Sequence, residues 1–327
     1  MRFAVSQATH RGGRPLNEDR AGHGHTRAAA LLALADGMGG HPEGEVAARI
    51  AVQSVSALFQ QQARPALPDV ERFLAEALLA AHRQIGIYAG HRGMVDGPRT
   101  TLVLAVVQEG RVAWAHCGDS RLYWLRDGRL LARTRDHSYA ERPEQAPSPA
   151  HAHNRNVLFT CLGAPVRPVF DTAPPQALRA GDRLLLCSDG LWDPLDDATV
   201  ARHLGAGPVD EAVPRLAALA LQRAGEHSDN VTLVAVEWQG DADAPDLPAA
   251  AAPQRPLLRA PVAVRTADLP EGAYATTIQA ELPDPVPRAD AGAPSEAVSP
   301  DELDEAEIER SIREIQDAIR RAAPRGG

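Results

Sequence analysis

An apolar run, Ala30-Leu31-Leu32-Ala33-Leu34-Ala35, ends in the segment Asp36-Gly37-Met38-Gly39-Gly40-His41. Such a run is typical of a buried strand, so a carboxylate lies where a strand ends, and three glycines follow within four positions. Glycine permits a sharp turn and lets a carbonyl oxygen come close to a ligand. A strand-end Asp beside an accessible carbonyl suits a hard divalent cation such as Mg²⁺ or Mn²⁺. For one isolated segment, a tight Asp-Gly turn is the simpler interpretation.

The pattern recurs, however, at four other places where an acidic residue stands beside Gly, Asn or Ser at an expected strand edge. These places are Asn17-Glu18-Asp19, Gly118-Asp119-Ser120, Ser188-Asp189-Gly190 and Asp229-Asn230. If the strands share one sheet edge, their carboxylates converge. Several carboxylates crowded in a water-poor space repel one another unless cations lie between them. The recurrence therefore predicts two or more metal ions.

Charge is distributed unevenly along the 327 residues. Of the 43 acidic and 34 basic residues, 17 and nine lie from position 241 onward, so the tail carries most of the net charge of -9. Every basic residue is Arg. The first 240 residues are nearly neutral, which is not the broad basic footprint of a nucleic-acid-binding protein. A metal-dependent nuclease is therefore disfavoured.

The number of cysteines and the hydropathy of the chain restrict the class of protein to which it can belong. Cys117, Cys161 and Cys187 are odd in number, and two of them lie in apolar runs, so we expect buried small side chains and neither disulfides nor a zinc site. Apolar stretches are too short for a signal peptide or a membrane-spanning helix. The sequence predicts a cytoplasmic protein that makes no membrane contact.

Hydrophobic periodicity predicts strands, two long helices and then more strands, an α+β pattern. Apolar stripes predict helices over 42–60, 68–89 and 209–224, and two hairpins are expected within 100–134. Residues 136–156 break the regularity and form a loop. Within it, His151 and His153 are interpreted as a solvated pair in preference to metal ligands.

The amino-acid composition of the chain changes after Gly240. Residues 240–298 are dominated by Ala, Pro and Asp, and we expect a disordered linker without its own core. Residues 299–323 predict a C-terminal amphipathic helix, because Ser299-Pro300-Asp301-Glu302 is typical of a helix start and isoleucines follow at spacings of four, three and four. Such a helix either docks on a partner or is a marginal solvated helix. The isoleucines of the stripe are Ile308, Ile312, Ile315 and Ile319.

Seven motifs, in this order, resemble the protein phosphatase 2C family, the metal-dependent Ser/Thr phosphatases, in its bacterial form. The resemblance covers residues 1–239, the whole family domain. The motifs are Arg14-Pro15-Leu16-Asn17-Glu18-Asp19, Asp36-Gly37-Met38-Gly39-Gly40, Thr100-Thr101, Gly118-Asp119-Ser120-Arg121, Asp136-His137-Ser138, Ser188-Asp189-Gly190-Leu191 and Asp229-Asn230-Val231-Thr232.

The resemblance implies a four-layer α-β-β-α sandwich of two antiparallel sheets flanked by helices, with a centre of two Mn²⁺ or Mg²⁺ ions at one end. By motif match, Asp36 bridges the two ions and the Gly37 carbonyl binds one of them. Asp189 and Asp229 hold the other, and Asp19 acts through water. Asp119 matches a position that helps to bind a third ion in bacterial relatives. Arg14 matches the phosphate-binding arginine, a role that suits its forked guanidinium.

The implied activity is hydrolysis of phospho-Ser and phospho-Thr on proteins by direct attack of a metal-bridging water. Phosphorylated proteins and a cognate Ser/Thr kinase are the implied partners. The alternative is a catalytically silent binding module that acts through its C-terminal helix, but every matching Asp is present.

Two positions depart from the family pattern. Met38 stands where animal relatives carry a His that is the proposed general acid, which leaves His41 as the nearest titratable group. Arg99 stands where the family usually has Gly before Thr100-Thr101, which is expected to shift the entry of that strand. The segment 136–160 would be the flap of the family.

Overall fold

The structure is a computed structural model, and it describes residues 1–148, 157–240, 262–265 and 275–279. Twelve strands and five helices occur in these residues. The strands are β1 Arg2–His10, β2 Asp19–His25, β3 Ala29–Asp36, β4 Leu102–Gln108, β5 Arg111–Cys117, β6 Arg121–Arg126, β7 Arg129–Arg133, β8 Asp171–Ala177, β9 Arg183–Cys187, β10 Val231–Gly240, β11 Val262–Arg265 and β12 Ala275–Gln279. The helices are α1 Gly44–Gln62, α2 Val70–His91, α3 Asp189–Trp192, α4 Asp197–Gly205 and α5 Val209–Ala224.

The strands form two sheets, and every pairing within them is antiparallel. The first sheet has the order β11-β1-β10-β9-β6-β7, and the second has the order β12-β2-β3-β4-β5-β8. The chain passes from the second sheet to the first through the short turn between β5 and β6. That turn contains Asp119, so one of the predicted site residues lies at the crossing.

Four layers result because each sheet is apolar on both faces. One apolar cluster lies between the sheets and includes Leu34, Val103, Leu122, Leu186 and Val234. Alternate residues of the first sheet pack on α3, α4 and α5 in a second cluster. On the other side, α1 and α2 contact the second sheet. The four-layer α-β-β-α sandwich is confirmed.

Helices α1 and α2 show how the sequence pattern produces this packing. The buried face of α2 repeats at three- and four-residue spacing, and its start is capped by Asp69, whose carboxylate accepts the Arg72 N–H. The ring of Phe73 from α2 meets Phe59 from α1 edge to face, with centroids 5.8 Å apart. All three cysteines are buried and free, as expected.

Two strands fall inside the region predicted as a linker. Segment β11 pairs with β1, and β12 pairs with β2, so each lies at the edge of a sheet. The expectation of a disordered linker over 240–298 does not hold for these nine residues, because backbone pairing at a sheet edge needs no apolar core of its own. The helix predicted over 299–323 lies outside the described residues. In the described part of the chain, no helix combines the length and apolarity that crossing a bilayer demands.

Candidate metal and phosphate site

Asp19 and Asp36 face each other across two neighbouring strands. Asp19 opens β2 and Asp36 closes β3, and the antiparallel register pairs the two residues directly. Asp19 is buried and Asp36 is half-buried. Directly opposed like charges destabilise a strand pair. The sequence keeps them together here, which indicates that something other than sheet stability selects them.

Asp189 and Asp229 lie at the matching end of the first sheet. Strand β9 ends at Cys187 and β10 begins at Val231, and the two strands are neighbours. The hydroxyl of Ser188 donates to Asp19 Oδ2 over 2.7 Å, so this end of the first sheet touches the start of β2. The carboxylates therefore come from two facing sheets. The sequence argument considered convergence at one shared sheet edge, whereas here two sheets supply the carboxylates.

Asp119 joins the same end from the turn between the sheets. Its carbonyl accepts the Trp192 indole N–H at 3.1 Å, which ties the turn to α3 beside Asp189. The next residue, Ser120, shares a 2.7 Å hydrogen bond with Thr101, and Thr101 accepts the Asp36 N–H at 3.1 Å. A short chain of buried hydroxyls thus connects the Asp119 turn to the Asp36 strand end.

Only glycine fits at position 37. A Cβ there would lie 2.4 Å from the Gly44 backbone and 2.8 Å from the Glu18 carbonyl oxygen. The Gly37 N–H donates to that same Glu18 carbonyl at 3.1 Å. The turn after Asp36 is therefore packed against the start of α1 and against the strand that carries Asp19, as the glycine-rich segment predicts.

Burial and mutual repulsion make these carboxyls hard to ionise. Burial raises the pKa of Asp19 to about 8, although hydrogen bonds from Ser188 and Thr232 lower it. Burial, with the charge of Asp229, raises the pKa of Asp189 to about 7. The pKa values of Asp36 and Asp119 also rise well above the ordinary range, first through burial and then through neighbouring carboxylates. The carboxylates therefore have too little positive charge beside them to stabilise their ionised forms.

The donor set fits divalent cations that prefer oxygen. Asp19 Oδ1 is buried and has no hydrogen-bond partner among the described residues, although Oδ2 is satisfied by Ser188. A buried carboxylate oxygen without a donor costs free energy unless a cation or water approaches it. Asp36, Asp189, Asp229 and the Gly37 carbonyl add only oxygen donors, the ligands preferred by Mg²⁺ and Mn²⁺.

Arg14 is the cation at the rim of this cluster. Its guanidinium lies 2.5 Å from Asp229 Oδ2, and its side chain is 52% exposed. The charge of Asp229 raises the pKa of Arg14, so the arginine carries its full charge at any working pH. A half-exposed guanidinium beside a carboxylate cluster is accessible to an incoming anion, and the phosphate-binding role that the motif match implies stays a prediction.

Asn230 is the main residue that the sequence argument left without a role. Its side-chain NH₂ donates to the carbonyls of Arg11 and Leu16 at 2.7 and 2.9 Å, and its Oδ1 accepts the Glu18 N–H at 2.8 Å. One amide thus fixes both ends of the loop that presents Arg14. An Asn directly after Asp229 at a strand start was the available signal, because this side chain readily bonds to backbone groups.

The structure shows the surroundings of the two positions that depart from the family pattern. Arg99 keeps the backbone contact expected of the strand entry, since its carbonyl accepts the Met38 N–H at 3.0 Å. Its side chain turns to Asp96, 2.9 Å away. The His41 ring also pairs with Asp96, with Nδ1 and Oδ2 3.2 Å apart.

The base of the predicted flap is anchored by two kinds of contact. Backbone hydrogen bonds join His137 to Gly118 and Phe159 to His137, each at 3.0 Å. The Arg121 guanidinium grips both oxygens of Asp136 at 2.8 and 2.7 Å. Between these anchors, His151 and His153 lie outside the described residues.

Comparison with known proteins agrees with this architecture. A family model described as protein phosphatase 2C matches residues 6–207. The chain belongs to this family. Of the curated relatives, serine/threonine protein phosphatase PstP of Mycobacterium tuberculosis is 37% identical over 215 residues, which are 64% of this chain and 40% of PstP. The chain therefore spans less than half the length of that relative. Serine/threonine phosphatase stp of Listeria innocua is 32% identical over 229 residues, covering 68% of this chain and 90% of stp.

Solved structures of protein phosphatase 2C relatives share the fold. The Mycobacterium tuberculosis PstP/Ppp structure matches with a TM-score of 0.61 and 34% identity, covering 73% of this chain and all of that one. A second structure, the PstP catalytic domain in complex with two manganese ions, has a TM-score of 0.59 and 35% identity, and covers 72% and 98% of the two chains. The family-level expectations of fold are thereby confirmed.

Proposed function

We propose that this protein is a metal-dependent protein serine/threonine phosphatase. The observation that carries the proposal is the convergence of five carboxylates, four from the ends of two facing sheets and one from the turn between them. One buried oxygen of Asp19 lacks a donor there, and Arg14 lies at the rim. The relatives named above as serine/threonine phosphatases, and the neighbour determined with two manganese ions, support it.

Each site residue has a role that follows from its place. We assign Asp36, which feels the charges of Asp19, Asp119, Asp189 and Asp229, as the carboxylate that would serve both Mn²⁺ or Mg²⁺ ions, and the Gly37 carbonyl as a donor that would hold one of them. Asp189 and Asp229, from the facing sheet, would hold the second ion. Asp19 would act through water bound to the ions, and Asp119 would help to hold a third ion.

The chemistry is phosphate-ester hydrolysis without a covalent enzyme intermediate. The bound ions would supply positive charge for the phosphate dianion and would lower the pKa of a water molecule toward neutrality. Arg14 grips the phosphate oxygens and orients the ester for in-line displacement. Ser188 holds the Asp19 carboxylate, and Thr101 and Trp192 hold the backbone of Asp36 and of Asp119, so little reorganisation is needed during turnover.

The silent-module alternative is not favoured, because no predicted ligand is lost and the relatives carry the names of phosphatases. Phosphorylated proteins are the substrate class. A cognate Ser/Thr kinase, a role in signal transduction, a cytoplasmic location and a docking partner for 299–323 remain predictions from the sequence.

The ligand residues provide the test. Asp36→Asn, Asp189→Asn and Asp229→Asn each keep the side-chain shape but remove a charge that the ions require, so each should lower turnover of a phospho-Thr peptide by at least about 100-fold. Asp127→Asn, in the β6–β7 turn at a position with φ 51°, is the matched control and should change turnover little. Near-normal turnover in Asp36→Asn would contradict the proposal.

A further inference from the structure

The turn that carries Asp119 has a tight and unusual backbone. Strand β5 ends at Cys117 and β6 begins at Arg121, so only three residues make the crossing between the sheets. Gly118 has a φ of 105°, a conformation that residues with a side chain rarely adopt. A Cβ at Gly118 would lie 2.7 Å from the Thr101 side chain. The backbone that leads into Asp119 therefore needs specific partners to hold it.

His137 supplies partners for both backbone polar groups of Gly118. The His137 backbone N–H donates to the Gly118 carbonyl at 3.0 Å, and the Gly118 N–H donates to His137 Nδ1 at 3.1 Å. Gly118 is buried, and a buried N–H that lacks an acceptor is costly. The two hydrogen bonds fix the peptide groups on both sides of the Gly118 Cα, and the second of these peptides leads directly into Asp119.

The surroundings of the His137 ring favour the tautomer that this contact requires. Since Nδ1 accepts a hydrogen bond, the proton of the neutral ring lies on Nε2. That nitrogen faces Asp171 Oδ2 at 3.4 Å, and Arg142 donates to the same carboxylate oxygen. The negative charge of Asp171 favours the proton on Nε2 and so leaves Nδ1 free to accept.

Two aromatic neighbours keep the ring in this orientation. His116 stacks on it, with centroids 4.5 Å apart and planes 7° from parallel, and Phe159 lies 5.4 Å away, tilted by 58°. His116 is itself fixed, since its Nε2 donates to the Arg135 carbonyl at 2.9 Å. His137 is 0% exposed, so the ring has no open solvent into which it can turn.

The residue before His137 holds the other end of the turn. Asp136 accepts from the Arg121 guanidinium on both carboxylate oxygens, at 2.8 and 2.7 Å. Asp119 thus lies between a residue bound by His137 and a residue bound by Asp136. We propose, on the basis of the proposed function, that His137 is a positioning residue whose Nδ1 orients the turn so that Asp119 can help to hold an ion. In this role His137 touches neither the ion nor the substrate.

Mn²⁺ binding to the full chain, measured by equilibrium dialysis without substrate, tests this role. Asp119→Asn identifies the bound equivalent that depends on Asp119. His137→Gln places its amide near the position of Nε2 and leaves the Gly118 N–H without its acceptor, so it should weaken that equivalent by about tenfold or more. His137→Asn keeps an acceptor oxygen, Oδ1, at the position of Nδ1, and its affinity should stay close to that of wild type.

The two substitutions at His137 separate positioning from packing. Both remove the ring from its stack with His116, so a merely structural role would make the two variants alike. Equal affinity in the two variants overturns the proposal, as does a wild-type chain in which Asp119→Asn removes no equivalent. In both cases Mn²⁺ still binds and the phosphatase proposal stands. A folded wild-type chain that binds no Mn²⁺ at all refutes both proposals.

A measurement on the wild-type chain covers the case in which the buried substitutions do not fold. In the ¹⁵N-labelled chain, NMR should show a coupling through the hydrogen bond between the Gly118 amide nitrogen and His137 Nδ1. The proton of the His137 ring should lie on Nε2. A proton on Nδ1, or no such coupling, overturns the proposal whether or not the variants fold.

Discussion

The pair formed by Arg14 and Asp229 shows how one residue serves the site in two ways. The guanidinium lies against a carboxylate that we assign to a metal ion, and the exposed half of the side chain faces solvent. An ion at Asp229 would compete with Arg14 for that carboxylate and free the guanidinium for phosphate. The long reach and forked geometry of Arg suit both contacts, whereas Lys offers a single point charge.

Removing this side chain should therefore act on substrate binding. Arg14→Ala is expected to raise KM for a small aryl phosphate by about tenfold or more and to lower kcat much less, because the contact is made in both ground and transition states. Steady-state kinetics on the Mn²⁺-loaded chain measure both constants. Arg11→Ala, an exposed arginine of the same loop, is the control and should leave KM unchanged. A large fall in kcat at unchanged KM would refute the binding role.

The sequence revealed the charged residues of the site better than the neutral residues that hold them. Asp36 and Asp189 follow apolar runs and are conspicuous, because a carboxylate at a strand end has few structural reasons to be there. Asn230 and Ser188 position the site just as specifically, through hydrogen bonds to residues more than 150 positions away in the sequence. Their partners depend on which strands become neighbours, which local patterns do not contain.

At the scale of elements, the site is built from strand ends rather than from one loop. Strands β2 and β3 supply one pair of carboxylates, and the ends of β9 and β10 supply the facing pair. The apolar runs predicted β3, β9 and β10, whereas β2 contains no apolar run and was not predicted as a strand. The hairpins within 100–134 are confirmed as β4–β5 and β6–β7. Local sequence patterns could not predict that β5 pairs with β8. More than 50 residues separate the paired positions, and the register shifts between Val112 and Trp114.

The tail strands β11 and β12 lead to a prediction about truncation. A chain ending at residue 240 loses both edge strands, whereas a chain ending at 280 keeps their backbone pairing with β1 and β2. We expect the shorter chain to be less stable by on the order of 2 kcal/mol, since several backbone hydrogen bonds are exchanged for water. Urea unfolding of the two truncated chains and the full chain measures this difference.

The chain ending at 280 is the matched control for the loss of the tail, and its stability should equal that of the full chain. Both truncated chains should hydrolyse a small aryl phosphate at the full-chain rate, because the carboxylate cluster lies within residues 1–240. Equal stability of the two truncated chains would show that β11 and β12 contribute nothing to the sheets.

At the scale of the whole molecule, the fold brings several acidic side chains together in a buried place without enough basic side chains to pair with them. Asp19 and Asp189 have folded-state pKa values of about 8 and about 7, well above those of an unfolded chain. At pH values between the unfolded-chain pKa and the folded-state pKa of these two carboxyls, the folded state binds more protons than the unfolded state. The free energy of unfolding therefore falls as pH rises. The buried histidines, whose pKa values are lowered, act in the opposite direction only below about pH 6.5.

The window from pH 6.5 to 8 therefore isolates the carboxylates, because the buried cysteines, whose pKa values are also raised, contribute mainly above about pH 8. In a chelator, we expect the melting temperature to fall across this window as the buried carboxyls lose their protons. With Mn²⁺ the fall should shrink, and the stabilisation by metal should be larger at pH 8 than at pH 6.5, because ligands must be deprotonated to bind. A melting temperature that rises with pH in the chelator would contradict the placement of these groups.

Metal-dependent phosphate release tests the central claim most directly. The full chain, freed of metal and then supplied with Mn²⁺, should release phosphate from a phospho-Thr peptide, and excess EDTA should abolish that release. Restoring Mn²⁺ should recover it, since the ligands are fixed by the fold and remain in place. Full release in EDTA, or none with Mn²⁺ in a chain that is folded by circular dichroism, would contradict the account.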